Sequence, residues 1–400
     1  MAADYRALGV VRSLGRHGIP VWVVRHGGHL VACVSRYVRR NISWPLTDDA
    51  KRVERLLDLG AEHDLQGWLL YPTDDHAVAL VSRHYQTLSR QFTVTVLPWE
   101  RLRFACDKRL LHEAATNLRI PQPWTACPRS REELASLDCP FPVILKPATR
   151  SRPNTLAVPK AWRVENRASL LSRYDEASVF VGPNNLVIQE ILPRALRSQY
   201  SYAALCHEGQ VIASVIARED RQYPMDFGQF STFVKTVHEP LLARTSERLI
   251  AALRFTGLIE IEYKRDPRDA QFKILDVNPR VWGWHTLARR AGIDFPYLLW
   301  RFLNGQSVPR LRGALGERWI HLSGDIPAAV QLIRSGRLSL REYLHSLKHR
   351  AESALFAWDD PTPGLLDIPL FTFFAVTRFL RRDQANPNPV ESSAAASAAL

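Results

Sequence analysis

Apolar and polar residues succeed one another along this chain in two distinct rhythms. Between residues 5 and 17, Leu8, Val11 and Leu14 recur at every third position, the spacing of one helix face. Pro20-Val21-Trp22-Val23-Val24 then forms a short apolar run, the mark of a strand buried on both faces. The succession repeats with a helix at 48–59 (Val53, Leu56, Leu57), a strand at Trp68–Tyr71, a helix from about Asp74 and a strand from Val94 to Leu97. Helices alternating with buried strands predict a small parallel α/β domain over residues 1–104. Such a domain normally opens on a strand and this one opens on a helix, so its first strand is expected to be missing or wrongly assigned.

From residue 105 to 310 the rhythm becomes α+β. A helix over Asp107–Asn117 ends near Pro121. Strands are predicted at Pro142–Lys146, Leu186–Glu190, Tyr200–His207 and Val211–Ala217. A helix at 239–254 leads into two further strands, Leu258–Tyr263 and Phe272–Val277. Between them Arg265-Asp266-Pro267-Arg268-Asp269 is a turn-forming cluster, so the pair is a β-hairpin. Residues 311–383 read mostly as helix, interrupted by Asp359-Asp360-Pro361-Thr362-Pro363-Gly364. Residues 384–400, rich in Ala, Asn, Pro and Ser, lack the apolar content to build a core and are expected to be disordered. No internal repeat is visible.

Composition narrows the function classes. Four hundred residues, 46% hydrophobic, make two or three folded domains. No run of 18 apolar residues occurs, so no transmembrane segment is expected, and the N-terminus lacks the basic and apolar stretches of a secretory signal. Cys33, Cys106, Cys127, Cys139 and Cys206 are odd in number and form no CxxC. That pattern suits free thiols in a reducing, cytoplasmic setting. A net charge of +13 would attract nucleic acid, anionic lipid or phosphorylated substrates. The arginines are spread along the chain without an RNA-binding or zinc-finger signature, so a solvated basic surface with no specific nucleic-acid partner is expected.

Three segments carry candidate chemistry. In a strand side chains alternate faces, so Glu260 and Glu262 point one way, as do Asp276, Asn278 and Arg280 on the partner strand. Buried carboxylates need a partner or a metal. Glu262, Asp276 and Asn278 are the hard oxygen donors that Mg²⁺ prefers, and Arg280 can neutralise phosphate. The apolar alternates Ile259, Ile261, Leu275 and Val277 equally allow a solvent-facing hairpin with surface charges. Lys146 ends a buried strand and either meets a phosphate or snorkels out. Gln189 and Glu190 end another strand, placed either to bind an adenine or simply to be exposed. His345 and His349, at i and i+4 with Lys348 beside them, read as surface helix. The apolar segment beginning at Leu370 and ending in Arg381-Arg382 either packs on the preceding helices or docks at a membrane surface.

Taken together these segments resemble the ATP-grasp superfamily, specifically its carboxylate–amine ligase-like members. Asp107-Lys108 is similar to that superfamily's entry to the fold, Pro142 to Pro147 to its nucleotide-binding lysine strand, Val187 to Pro193 to its adenine hinge, and Gly257 to Arg280 to its metal hairpin. Ala7 to Val21 resembles the preceding α/β domain. Arg221 to Gly228 with Ser231 to Val234 resembles the substrate-side loop, and Trp282-Gly283 with Ala291 to Leu299 the closing helix. The resemblance implies a pre-ATP-grasp α/β domain, a two-lobed ATP-grasp fold and a helical C-terminal extension. It implies that Lys108 and Lys146 contact ATP phosphates, and that Gln189, Glu190 and the main chain at Ile191 and Leu192 hold adenine. Glu262, Asp276 and Asn278 would hold one or two Mg²⁺ ions, with Mn²⁺ as a possible substitute. Arg280 and Lys146 would be catalytic, and the substrates a small carboxylate and an amine joined through an acyl phosphate. The loops 148–160 and 218–232 would close over the site, and Arg218, Arg221 and Arg289 hint at an anionic substrate. Three departures stand out: Asp276 replaces the usual Glu, the loop 148–155 has no glycine, and Arg194-Ala195-Leu196-Arg197 replaces the acidic residues that hold ribose. They leave open a degenerate domain that binds nucleotide without catalysis.

Overall fold

The computed structural model describes residues 3–25, 30–44, 48–149, 161–193, 197–223 and 230–367. The segment from Leu370, the tail 384–400 and residues 150–160, 194–196 and 224–229 lie outside the described residues, and with them most of the glycine-free loop 148–155 and Arg194.

The N-terminal part begins with the helix Tyr5–Arg16, whose cap is Asp4 accepting from the Arg6 and Ala7 amides. Two parallel strand pairs follow, Val21–Arg25 with Val38–Ser43 and Leu69–Leu70 with Thr93–Val94. The helices Asp49–Glu62 and Asp75–Arg83 start from the carboxylate caps Asp48 and Asp74. Their inner faces and the second strand pair bury Val53, Leu56, Leu70, Leu80, Val81 and Phe92 in one core. The helix Tyr5–Arg16 does not join it. Leu8, Val11 and Leu14 pack instead in a core with Trp282, Trp284 and Phe295.

A four-stranded antiparallel sheet forms the small lobe, in the order Thr125–Ala126, Leu186–Glu190, Val143–Pro147, Trp162–Val164. Val143, Leu145, Leu186 and Ile188 leave one of its faces to meet Leu170, Tyr174 and Ala177 of the helix Arg167–Val181. That helix was not legible in the sequence because its apolar residues run around the whole circumference, Val179 and Phe180 lying on its outer side.

The large lobe is an eight-stranded sheet. Its order is Phe272–Asn278, Gly257–Arg265, Gln199–His207, Gln210–Tyr223, Phe230–Thr236, Arg318–Ile320, Glu352–Ser353, with Leu311–Arg312 alongside Gln210–Tyr223. One face packs the helices Lys108–Asn117 and Pro240–Ala252 through Ile259, Ile261, Tyr263, Ile274 and Val277. The other buries Ala203, Leu205, Val215 and Leu258 beneath the tryptophan core. The expectation of a mostly helical extension after residue 310 is corrected here. Three short strands of that region belong to the large sheet, and Trp319 is fully buried with its Nε1 donating to Thr286 Oγ1 at 2.9 Å. Two helices, Leu322–Arg334 and Leu340–Leu347, follow, and residues 362–367 are helical as well. His345 is exposed on the helix Leu340–Leu347, and His349 is exposed just beyond its end rather than on it.

Candidate active site

The hairpin Gly257–Arg265/Phe272–Asn278 sets Glu262 directly opposite Asp276 and Glu260 directly opposite Asn278. The next strand adds Ser201 beside Glu262 and Ala203 beside Glu260. Polar groups therefore stand in two rows across the sheet on one face. The register slips just beyond them: Tyr263 pairs with Ile274, leaving Leu275 as an extra residue. This bulge resets the alternation. Ile274 and Val277 are both buried in the core, whereas Leu275 is half-buried, so the reading of Leu275 as an apolar alternate is corrected and Ile274 takes that place.

The side chains are already engaged with one another. Asn278 Nδ2 donates to Glu260 Oε2 at 3.0 Å and to Glu262 Oε1 at 2.7 Å. Arg280 Nη2 donates to Asn278 Oδ1 at 3.1 Å, and Arg280 Nε to Asp75 at 2.6 Å, tying the hairpin to the first turn of the helix Asp75–Arg83. Lys108 Nζ donates to both oxygens of Asp276, at 2.9 and 2.8 Å. The Lys108 amide donates to Ala148 O at 3.0 Å, two residues after Lys146. Lys108 thus links the acidic hairpin to the end of the lysine strand.

Lys146 and Gln189 meet on the small sheet, Nζ donating to Oε1 at 2.8 Å, and Gln189 Nε2 reaches Thr125 Oγ1 at 3.2 Å. Glu190 is turned elsewhere, accepting from the Trp124 amide at 3.3 Å and pairing with Arg268 at 2.5 Å. Leu192 O accepts from Lys264 Nζ of the large sheet at 3.1 Å, and the Ile191 amide donates to Pro142 O. The hinge main chain is therefore held from both lobes.

One member of the cluster was not anticipated. Glu219 is buried beside the rows, accepting from Ser231 Oγ at 2.6 Å and facing Ser201 Oγ at 3.5 Å. Sequence reading ended its strand at Ala217 because Arg218-Glu219-Asp220-Arg221 carries no apolar alternation, yet the strand runs to Tyr223. Part of the expected loop 218–232 is thus sheet. Glu260 is pushed well above the ordinary carboxylate range, first by burial and then by the charges of Glu262 and Glu219, against the opposing pull of Arg280 and Asn278. Arg218 pairs with Asp220, Arg221 with Asp325 and Arg289 with Glu352, so each hinted substrate arginine has a carboxylate partner.

This surplus of carboxylate oxygens on one wall suits a hard divalent cation in kind. As the side chains stand, no group of three His, Cys, Asp or Glu side chains among the described residues could hold a metal ion. The Asn278 amide donates where a ligand would accept, and Lys108 occupies Asp276. A cation would need these two to turn away, and in exchange would relieve the crowding that raises Glu260. All five cysteines are free. Among the described residues no helix is long and apolar enough to cross a membrane.

The family described as ATP-grasp in the biosynthetic pathway with Ter operon matches residues 183–318, which contain the hairpin but neither Lys108 nor Lys146. A D-aspartate ligase of Enterococcus faecium (strain Aus0004) is 23% identical over 247 residues, 57% of this chain. The chain matches 57% of the length of that curated relative. The crystal structure of an L-amino acid ligase from Bacillus licheniformis superposes with a TM-score of 0.57 at 15% identity, covering 76% of this chain and 72% of that one. A biotin carboxylase from Campylobacter jejuni, solved as a β-γ-ATP complex, gives a TM-score of 0.60 at 14% identity over 77% and 71% of the two chains. With its two lobes, its acidic hairpin and these likenesses taken together, the chain has the ATP-grasp fold and is similar in sequence to that family over residues 183–318.

Proposed function

We propose that this chain is an ATP- and Mg²⁺-dependent ligase that joins a small carboxylate to an amine through an acyl phosphate. The observation that carries the reading is the double row Glu262–Asp276 and Glu260–Asn278, connected through Lys108 to the strand that bears Lys146. Glu262, Asp276 and the Asn278 carbonyl oxygen would hold Mg²⁺, which supplies charge neutralisation for the polyphosphate. Lys146 and Lys108 would then contact phosphate oxygens, each exchanging an internal partner for the nucleotide. Gln189 and the main chain at Ile191 and Leu192 would line the purine. Glu190 could accept from the adenine amine after releasing Arg268.

Phosphoryl transfer needs positioning and charge neutralisation more than covalent help from protein. The substrate carboxylate attacks the γ-phosphorus and ADP departs. The amine then adds to the acyl carbon, and phosphate leaves as the amide forms. Arg280, fixed between Asp75 and Asn278, would stabilise the oxyanion of that second step. The name of the Enterococcus relative makes aspartate and other amino acids the first substrates to screen.

The test is ADP release with Mg²⁺ over a panel of amino acids and small acids. The reading expects turnover that requires one acid and one amine together and is lost in Glu262→Gln. Full activity in that variant, or nucleotide binding without turnover on any pair, would refute ligase chemistry at this site.

A further inference from the structure

The opposite face of the large sheet holds a second cluster with its own chemistry. Arg218 follows Ala217 and precedes Glu219, so it leaves the sheet on the face away from the acidic rows. Lys235 and Arg318 do the same, since their neighbours Val234 and Trp319 are buried in the tryptophan core. The strand register sets Arg218 opposite Lys235 and Lys235 opposite Arg318. Three cations therefore stand side by side across three adjacent strands. Like charges directly opposite one another destabilise a sheet.

The helix Leu340–Leu347 lies over this row and contributes Arg341, with Lys348 just after it, and Arg318 Nη1 donates to Ser346 O at 3.3 Å. Sheet and helix line an open cleft of about 870 Å³, within the size range of small-molecule sites. With Arg197, six basic side chains line it against two carboxylates, Asp220 and Glu342. Both carboxylates are already used. Asp220 pairs with Arg218 at 2.6 Å, and Glu342 accepts from the Ser339 amide and hydroxyl at the start of the helix. The Lys235 ammonium makes no hydrogen bond or ion pair among the described residues. A solvated basic surface would spread such charges apart, whereas here they converge on one open cleft, where a field of one sign concentrates counter-ions.

We propose that this cleft binds a small polyanion carrying at least two phosphate or carboxylate groups close together. The arginine forks would grip its oxygens in pairs, and Lys235 would meet it as a point charge. The site is separate from the proposed nucleotide site, because the whole thickness of the sheet lies between the two rows of side chains.

Hydrogen exchange on the full chain tests this, with millimolar pyrophosphate or citrate as probes at matched ionic strength. Slowed exchange in peptides covering 230–236 and 340–347 is expected. Greater protection by pyrophosphate identifies a phosphate-bearing ligand, and greater protection by citrate a polycarboxylate. The Lys235→Gln/Arg318→Gln variant should bind about tenfold or more weakly, the loss of at least one charge-assisted contact. Without ligand it should melt no lower than wild type, because a repulsive contact has been removed. Should the double variant fail to fold, Lys235→Gln carries the same comparison. Unchanged exchange with both probes, or equal protection in the variant, overturns the proposal. Tighter protection of the same peptides by a single-stranded oligoribonucleotide would also overturn it, assigning the face to nucleic acid.

Discussion

Replacing Asp325 by Ala would strand a guanidinium in the interior. Arg221 and Asp325 are 5% and 0% exposed, and their forks meet at 2.7 and 2.9 Å. Arg221 also donates to Ser346 Oγ at 3.1 Å and lies over the rings of Phe233 and Tyr343, at 4.1 and 5.1 Å from their centroids. One side chain thus joins the strand Gln210–Tyr223 to the helices Leu322–Arg334 and Leu340–Leu347. Removing one partner of a buried ion pair costs about 3–5 kcal/mol, because the remaining charge keeps its desolvation penalty without its counter-ion. Urea unfolding followed by circular dichroism should show a loss of that size in Asp325→Ala. Replacing both partners with apolar residues, Arg221→Met/Asp325→Leu, removes the stranded charge and should recover most of the loss. A loss below about 1 kcal/mol in the single variant, or a double variant as unstable as the two singles added, would refute the reasoning.

Three further outcomes follow from buried groups. His285 is buried, with Nδ1 2.8 Å from Trp282 O and Nε2 unpartnered among the described residues, and burial pushes its pKa from 6.5 down to about 4. The folded state therefore resists a proton that the unfolded chain accepts. Stability should be flat above about pH 6.5 and fall by about 3 kcal/mol as the pH drops toward 4, a slope that melting curves across this range should show in wild type and not in His285→Gln. Gly9→Ala would set a methyl 2.4 Å from His285 Nε2 and 2.7 Å from Thr286 Cγ2, and overpacking of that kind should cost about 1–3 kcal/mol in the same urea assay. The raised pKa of Glu260 means that its ionisation opposes folding, so its favourable contribution is present below the ordinary carboxylate pKa and fades as pH rises through the folded value. Glu260→Gln should accordingly raise the metal-free unfolding midpoint at mildly alkaline pH and change it little near pH 4; a lowered midpoint at alkaline pH would contradict the assignment.

Much of the fold could be read where local pattern and tertiary role coincide. The runs Val143–Leu145 and Leu186–Ile188 are apolar because they are packed from within, and the cluster Arg265–Asp269 makes a turn because Asp266 accepts from the Arg268 amide at 3.0 Å. The acidic rows were legible for the same reason, since a period of two survives in the Glu260–Glu262 strand. Elsewhere the local signal was absent. Val38–Ser43 is a strand with a largely exposed, polar sequence, held by its parallel neighbour. The bulge at Leu275 is a property of the pairing and leaves no mark in either strand. Glu219, the cations opposite one another at 218, 235 and 318, and the Arg221–Asp325 pair join positions up to 104 residues apart. No periodicity connects such positions; the topology does.

The central claim is that the hairpin carboxylates and Lys146 form one nucleotide site. Calorimetric titration of ADP into the full chain, with and without Mg²⁺, tests it most directly in wild type, Glu262→Gln and Lys146→Ala. The account predicts Mg²⁺-dependent binding in wild type. It predicts that Glu262→Gln loses the Mg²⁺ dependence, and that Lys146→Ala weakens binding about tenfold or more, the loss of a charge-assisted phosphate contact. Binding that is indifferent to Mg²⁺, or unchanged in both variants, would contradict it.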